Sequence, residues 1–196
     1  MSRGLGDVYK RQAYSFAQGL ASERDVKMDW TTKISAALDR INGHVRTTPV
    51  LTCEGFGLDY PIEMKLEQMQ HTGSFKARGA FNTLLSSEVP KAGLVAASGG
   101  NHGAAVGYAG ATLGHRARIY VPEIAGPAKI ALIERTGADL QVVPGAYADA
   151  LDAARTYEDE TGAMQIHAYD ASPTVVGQGT CLAEWEAQGL AADTVL

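Results

Sequence analysis

Cysteine is scarce in this chain. Cys53 and Cys181 are the only two among 196 residues, far apart and with no second ligand pair beside either. A disulfide framework and a metal site of the zinc type are therefore not expected, and a reducing compartment is the default. Aromatic residues make up only 7% and are not interleaved with Arg or Lys, and no basic block relieves a net charge of −5. Nothing here suggests a nucleic-acid partner. Long apolar runs are missing too: none approaches the roughly 20 residues of a membrane-spanning helix. The absences together read as a cytoplasmic, soluble protein with no membrane partner. What is present is ordinary for a globular chain, 45% hydrophobic and 20% charged. The length supports one core, or one and a half domains, but not two full ones.

The first residues stand apart. Met1 to Gln12 has neither hydrophobic period nor caps, and Gly6 to Gln12 resembles a translated sequencing-adapter end. Residues 1–27 read as a non-native or disordered leader, with a natural start near Met28. From Asp29 the signals are clean. Asp29 or Thr31 can cap a helix with apolar positions at Ile34, Ala37, Leu38 and Ile41, ended by Gly43. Val45 to Thr52 reads as an extended connection, since the residue before Pro49 avoids the helical region. Ile62 to Glu67 alternates apolar and charged residues as a half-buried strand does.

After Pro90 the pattern becomes a β-α repeat. Strands are predicted at Leu94–Ser98, Ala117–Val121, Leu140–Val143 and Met164–Tyr169, and helices at Asn101–Leu113, Pro127–Thr136 and Tyr147–Thr161. Such alternation means an α/β fold with a parallel sheet covered on both faces. Gly177 to Thr180 reads as a turn leading into a last helix around Cys181 to Gln188. Thr194 to Leu196 looks like the start of a strand, which would make the chain a fragment.

Two constellations carry chemistry. In Lys65 to Asn82, KLEQMQHTGSFKARGAFN, Thr72 and Ser74 can both cap a helix that starts near Phe75. Lys76 then falls in the first turn, at the positive end of the helix dipole, where a lysine is disfavoured. That placement should lower its pKa and leave free amine, as a Schiff-base lysine requires; the plain alternative is a surface lysine near a helix start. The second constellation, Ser98-Gly99-Gly100-Asn101-His102-Gly103, lies between a strand end and a helix start, where free backbone N–H groups welcome an anion. Read as a dinucleotide fingerprint it lacks its first glycine, although Glu123 stands about 20 residues on, as a ribose-binding acid would.

The motifs TGSFKARGA, GGNHG, GPAKIALIERTGA and GQGT, in this order between Asp29 and Leu196, resemble the fold-type II pyridoxal-phosphate enzymes, in particular the serine/threonine dehydratases. The resemblance implies a tryptophan synthase β-like fold of two open parallel-sheet domains, incomplete at its C-terminal end. Residues 28–86 plus 163–196 would form the large domain and residues 87–162 a small mobile one. It implies pyridoxal 5'-phosphate as cofactor, joined to Lys76, with Phe75 near its ring and Asn101 on its ring hydroxyl oxygen. It places the substrate carboxylate on the loop of Ser98, Gly99, Gly100 and His102, held by backbone groups. It also implies a homo-oligomer at full length. The family's glycine-rich phosphate loop and the metal ligands of some relatives would fall beyond Leu196.

The implied reaction is β-elimination from L-threonine or L-serine to a 2-oxo acid and ammonia, with Lys76 as the base at the α-carbon. Threonine synthase, sulfhydrylase and racemase reactions stand as alternatives, as does an inactive fragment. In the racemases a serine precedes the Gly-Asn of the carboxylate loop, and here that position is Gly99. His102 reads as a loop-shaping residue rather than an acid or base.

Overall fold

The computed structural model describes residues 29–55, 57 and 59–195 of the chain. The leader expected over residues 1–27, and the start near Met28, lie outside them.

Helix α1 (Trp30–Ile41) begins where Asp29 accepts a hydrogen bond from the backbone N–H of Thr32 at 3.1 Å, and Gly43 with φ +80° turns the chain away after it. It buries Ala37 and Ile41, four residues apart on one face. Burying a side chain the size of Ile41 contributes about 2 kcal/mol. Val50–Cys53, expected as a connection, is instead strand β1. It pairs antiparallel with β2 (Ile62–Lys65), from Val50 opposite Lys65 to Cys53 opposite Ile62. The extension that Pro49 imposes on Thr48 simply continues into the β-branched and apolar residues that follow. Two short 3-10 turns, Glu67–Met69 and His71–Gly73, lead to helix α2 (Lys76–Leu85).

The β-α run appears as β3 (Leu94–Ala97), α3 (Asn101–Thr112), β4 (Ala117–Pro122), α4 (Pro127–Glu134), β5 (Asp139–Val143), α5 (Tyr147–Thr161), β6 (Met164–Gln165) and α6 (Ser172–Ala187). The four strands form one parallel sheet in the order β5-β4-β3-β6. The side-chain period of two sorts its faces. Leu94 and Ala96 of β3, with Ile119 and Val121 of β4, pack on Ala105, Val106 and Ala109 of α3 and Ile133 of α4. Val95 and Ala97 pack on Ala150 and Ala154 of α5. The sheet takes in β6, one strand past the boundary expected after residue 162.

Three segments depart from the sequence reading. The strand expected over Met164–Tyr169 stops at Gln165, because the next carbonyls turn to side chains rather than to a ladder. Thr194 and Val195 are not in a strand, and Leu196 lies outside the described residues. Gly177 to Thr180 is no turn: it lies inside α6. A Cβ on Gly177 would sit 2.6 Å from Asn82 Cβ and 2.8 Å from both Arg78 O and Gly79 Cα, and one on Gly179 would sit 2.7 Å from Ile34 Cδ1. These glycines are there so that α6 can lie close against α2 and α1, not to end a helix.

Candidate active site

The approach to Lys76 is built by side-chain bonds to the backbone. Gln70 Oε1 accepts from the N–H of Arg46 at 2.9 Å and of His71 at 3.0 Å, while its Nε2 donates to Arg46 O at 2.7 Å. Thr72 follows with φ 62°, the only non-glycine at positive φ among the described residues, and its Oγ1 is buried without a hydrogen-bond partner. Of the two residues expected to cap α2, Thr72 makes no such bond and Ser74 contributes only weakly: Lys76 N lies 3.4 Å from Ser74 Oγ. The helix is held from beneath instead. Arg78, fully buried, donates to Glu67 at 2.7 and 2.9 Å and to Glu184 of α6 at 3.0 Å, and Lys65 donates to the same Glu184 at 2.5 Å. Burial alone would raise the Glu184 carboxyl, but the bonds from Arg78 and Lys65 hold it below its ordinary range.

Lys76 stands in the first turn of α2, as expected. Its Nζ lies 5.0 Å from the centroid of the Phe75 ring and donates to Ala168 O at 2.8 Å. Its pKa falls below the ordinary lysine value, and burial is the cause. The direction is the one read from the sequence, with burial as a cause that the sequence did not show. Phe75 keeps 38% of its surface exposed, an apolar face left open beside the amine.

The second constellation lies across from it. Ser98 follows the end of β3 and donates its N–H to Tyr120 O at 2.9 Å, and Gly100 N donates to Ser98 Oγ at 3.2 Å. The first bond of α3 runs from Ala104 N to Gly100 O at 3.2 Å, so the N–H groups of Asn101, His102 and Gly103 have no acceptor within the helix. Gly103 lets this end approach the sheet, since a Cβ there would lie 2.9 Å from Ile119 and 3.0 Å from Ile133. Asn101 is exposed at the first helical position. His102 is buried, and its Nε2 donates to Ile166 O at 2.8 Å. A carbonyl can only accept, so Nε2 carries the proton of a neutral ring. Burial pushes its pKa down to about 4, with Lys76 and His167 near enough to lower it further. The His102 side chain thus anchors the loop to the segment after β6.

The segment between β6 and α6 joins the two halves. Ile166 O is taken by His102, His167 O by Thr174 Oγ1 at 3.1 Å, and Ala168 O by both Lys76 and Gln178 Nε2, the latter at 3.1 Å. No sequence signal points to Ala168, because its contribution is a carbonyl that every residue has. Gln178 does sit in a motif, GQGT, but its apparent turn character hid a helical side chain aimed at the lysine's partner.

Residues 41–196 match the family described as pyridoxal-phosphate dependent enzyme. The chain belongs to the pyridoxal-phosphate-dependent enzymes. Among relatives, it is 35% identical over 161 residues to the phenylserine dehydratase of Ralstonia pickettii, covering 80% of this chain and 49% of that one. It is 35% identical over 155 residues to the serine racemase of Arabidopsis thaliana, covering 77% and 47%. The crystal structure of the T.th. threonine deaminase superposes with a TM-score of 0.74 at 38% identity, covering 80% of this chain and 51% of that one. The chain thus spans about half the length of these pyridoxal-phosphate enzymes. The neighbours fix the fold as fold type II, α/β with a parallel sheet. Among the described residues no helix is long and apolar enough to cross a membrane.

Proposed function

We propose that this chain carries the lysine and carboxylate-loop half of an enzyme that eliminates water from L-threonine or L-serine, giving a 2-oxo acid and ammonia. The observation that carries the reading is the Lys76 amine: half-buried, lowered in pKa, and hydrogen-bonded only to a neutral carbonyl among the described residues. The residues present fit pyridoxal 5'-phosphate. An amine whose pKa is lowered by burial suits an aldehyde, Phe75 offers an apolar face, and the segment leading to Lys76 holds the partnerless Thr72 hydroxyl. When bound, the cofactor supplies an electron sink for the bonds at the substrate α-carbon.

In this reading Lys76 holds the cofactor and then takes the proton from the α-carbon, a task for which a depressed pKa is needed. Asn101, exposed at the mouth of α3, would hold the cofactor at its ring hydroxyl oxygen. The backbone of Gly99, Gly100 and His102 holds the substrate carboxylate, helped by the helix N-terminus. Ser98 shapes that loop through its bond from Gly100 N. The unit expected over residues 87–162, with β6 joined to its sheet, acts as the small mobile domain that brings the loop to the substrate, and the full-length protein is a homo-oligomer.

Racemisation is the second reading, raised by the likeness to the Arabidopsis enzyme. It needs a proton donor on the face opposite Lys76. Gly99, at the place of the racemases' serine, has no hydroxyl, and a Cβ there would press on Ala125 at 3.1 Å. Elimination from the lysine side is therefore favoured. Adding pyridoxal phosphate to the chain should produce a visible absorbance band that Lys76→Ala abolishes; no band in the unsubstituted chain overturns the reading. A longer form of the protein, given L-serine in heavy water, should yield pyruvate with little D-serine, and abundant D-serine would select the racemase instead.

A further inference from the structure

We infer that Gln178 is a positioning residue for Lys76, acting through the carbonyl of Ala168. That carbonyl is shared: Lys76 Nζ donates to it at 2.8 Å and Gln178 Nε2 at 3.1 Å. Gln178 projects from α6 across the face of α2 at Gly79, one turn after Lys76. A Cβ on Gly79 would lie 3.1 Å from its Cγ and 3.2 Å from its Nε2, so the glycine leaves the lane through which the amide reaches Ala168. The neighbouring carbonyls are fixed by other elements, Ile166 O by His102 and His167 O by Thr174. Gln178 thus completes a row of three carbonyls, each held by a different side chain, with the lysine on the last.

The consequence is a matter of what happens when the amine moves. A half-buried carbonyl that loses its only donor carries a desolvation penalty, whereas one that keeps a second donor does not. With Gln178 in place, Lys76 can leave Ala168 O and come back without orphaning it. The second donor also competes for the oxygen's electron density, which weakens its hold on the ammonium form and favours free amine. Removing the amide should therefore raise the Lys76 pKa. The titratable group close to the amine is His102 on α3, which has His167 as a further neighbour, and no carboxylate among the described residues is hydrogen-bonded to Nζ. The meaning for catalysis rests on the proposed role of Lys76, but the effect on its amine does not.

The experiment is a pH titration of Lys76 reactivity in the intact chain without cofactor. It uses competitive acetylation, with the Lys76 peptide read by mass spectrometry against an exposed lysine. Gln178→Met keeps length and volume without a donor, and Gln178→Glu places a carboxylate by the amine. The midpoint should rise by roughly half a unit to one unit in Gln178→Met, and further in Gln178→Glu. At neutral pH the first change corresponds to about a three- to tenfold loss of free amine. A midpoint unmoved in both folded variants makes Gln178 a packing residue and overturns the inference. A pyridoxal-phosphate band missing from the unsubstituted chain would instead overturn the proposed function and leave this titration readable.

Discussion

A single imidazole sets a pH limit on this fold. His102 is held neutral, with its pKa lowered by burial to about 4 from 6.5. Between those values the unfolded chain binds a proton at this position that the folded chain refuses, so stability falls as pH falls through that window and levels off below it. The full effect is on the order of 3 kcal/mol. Urea midpoints at pH 7 and pH 4.5 should therefore differ more in the unsubstituted chain than in His102→Gln, which has no proton to gain. An equal drop in both would place the acid sensitivity elsewhere. At this scale the sequence was informative wherever chemistry is carried by a side chain of unusual placement. Lys76 and the loop of Gly99 to His102 could be picked out for that reason. Ala168 could not, since its carbonyl is anonymous, and the Thr72 hydroxyl shows itself as partnerless only once its surroundings are packed.

Helices and strands were legible where the hydrophobic period was strong. Helix α5 was bounded at Tyr147 and Thr161 in agreement with the structure, because Gly162 takes the left-handed φ of +70° that closes it. The glycines of α6 misled, since the same residue that ends a helix in solvent also admits a second helix in the core. Their packing gives an ordering that can be measured. The neighbours of Gly177 are backbone atoms of α2 and the Cβ of Asn82, none of which can move alone, so Gly177→Ala should cost about 2–3 kcal/mol. Gly179 meets only the Ile34 side chain, half-buried on α1, which can change rotamer. Gly179→Ala should cost about 1 kcal/mol or less. Denaturant midpoints of the two variants test this, and an equal loss would mean that α6 shifts as a body. The same close packing lets Glu184 of α6 reach Arg78, so a loosened α6 should also disturb the base of the lysine helix.

The molecule as a whole ties an amine beside an apolar ring face and a loop with a row of N–H donors to one segment, residues 166–168, and these are not equivalent for a cofactor with a phosphate. A dianion needs several N–H donors and the positive end of a helix. In the described residues, two helix starts near the lysine hold N–H groups without a helical acceptor: that of α3, which the proposed function assigns to the substrate carboxylate, and the short first turn of α2, where Lys76 N already faces Ser74 Oγ and Arg78 N donates to Phe75 O. The 196-residue chain should therefore gain little from the phosphate. Pyridoxal and pyridoxal phosphate should develop their absorbance bands at concentrations within about tenfold of each other, a difference of at most about 1.4 kcal/mol. Both bands should fade on dialysis and be absent from Lys76→Ala. A longer form of the protein should instead retain pyridoxal phosphate through dialysis and discriminate strongly against pyridoxal. If the shorter chain itself keeps pyridoxal phosphate through dialysis while ignoring pyridoxal, then N–H donors already present at the start of α2 or α3 hold the phosphate, and the small gain expected from it here is wrong.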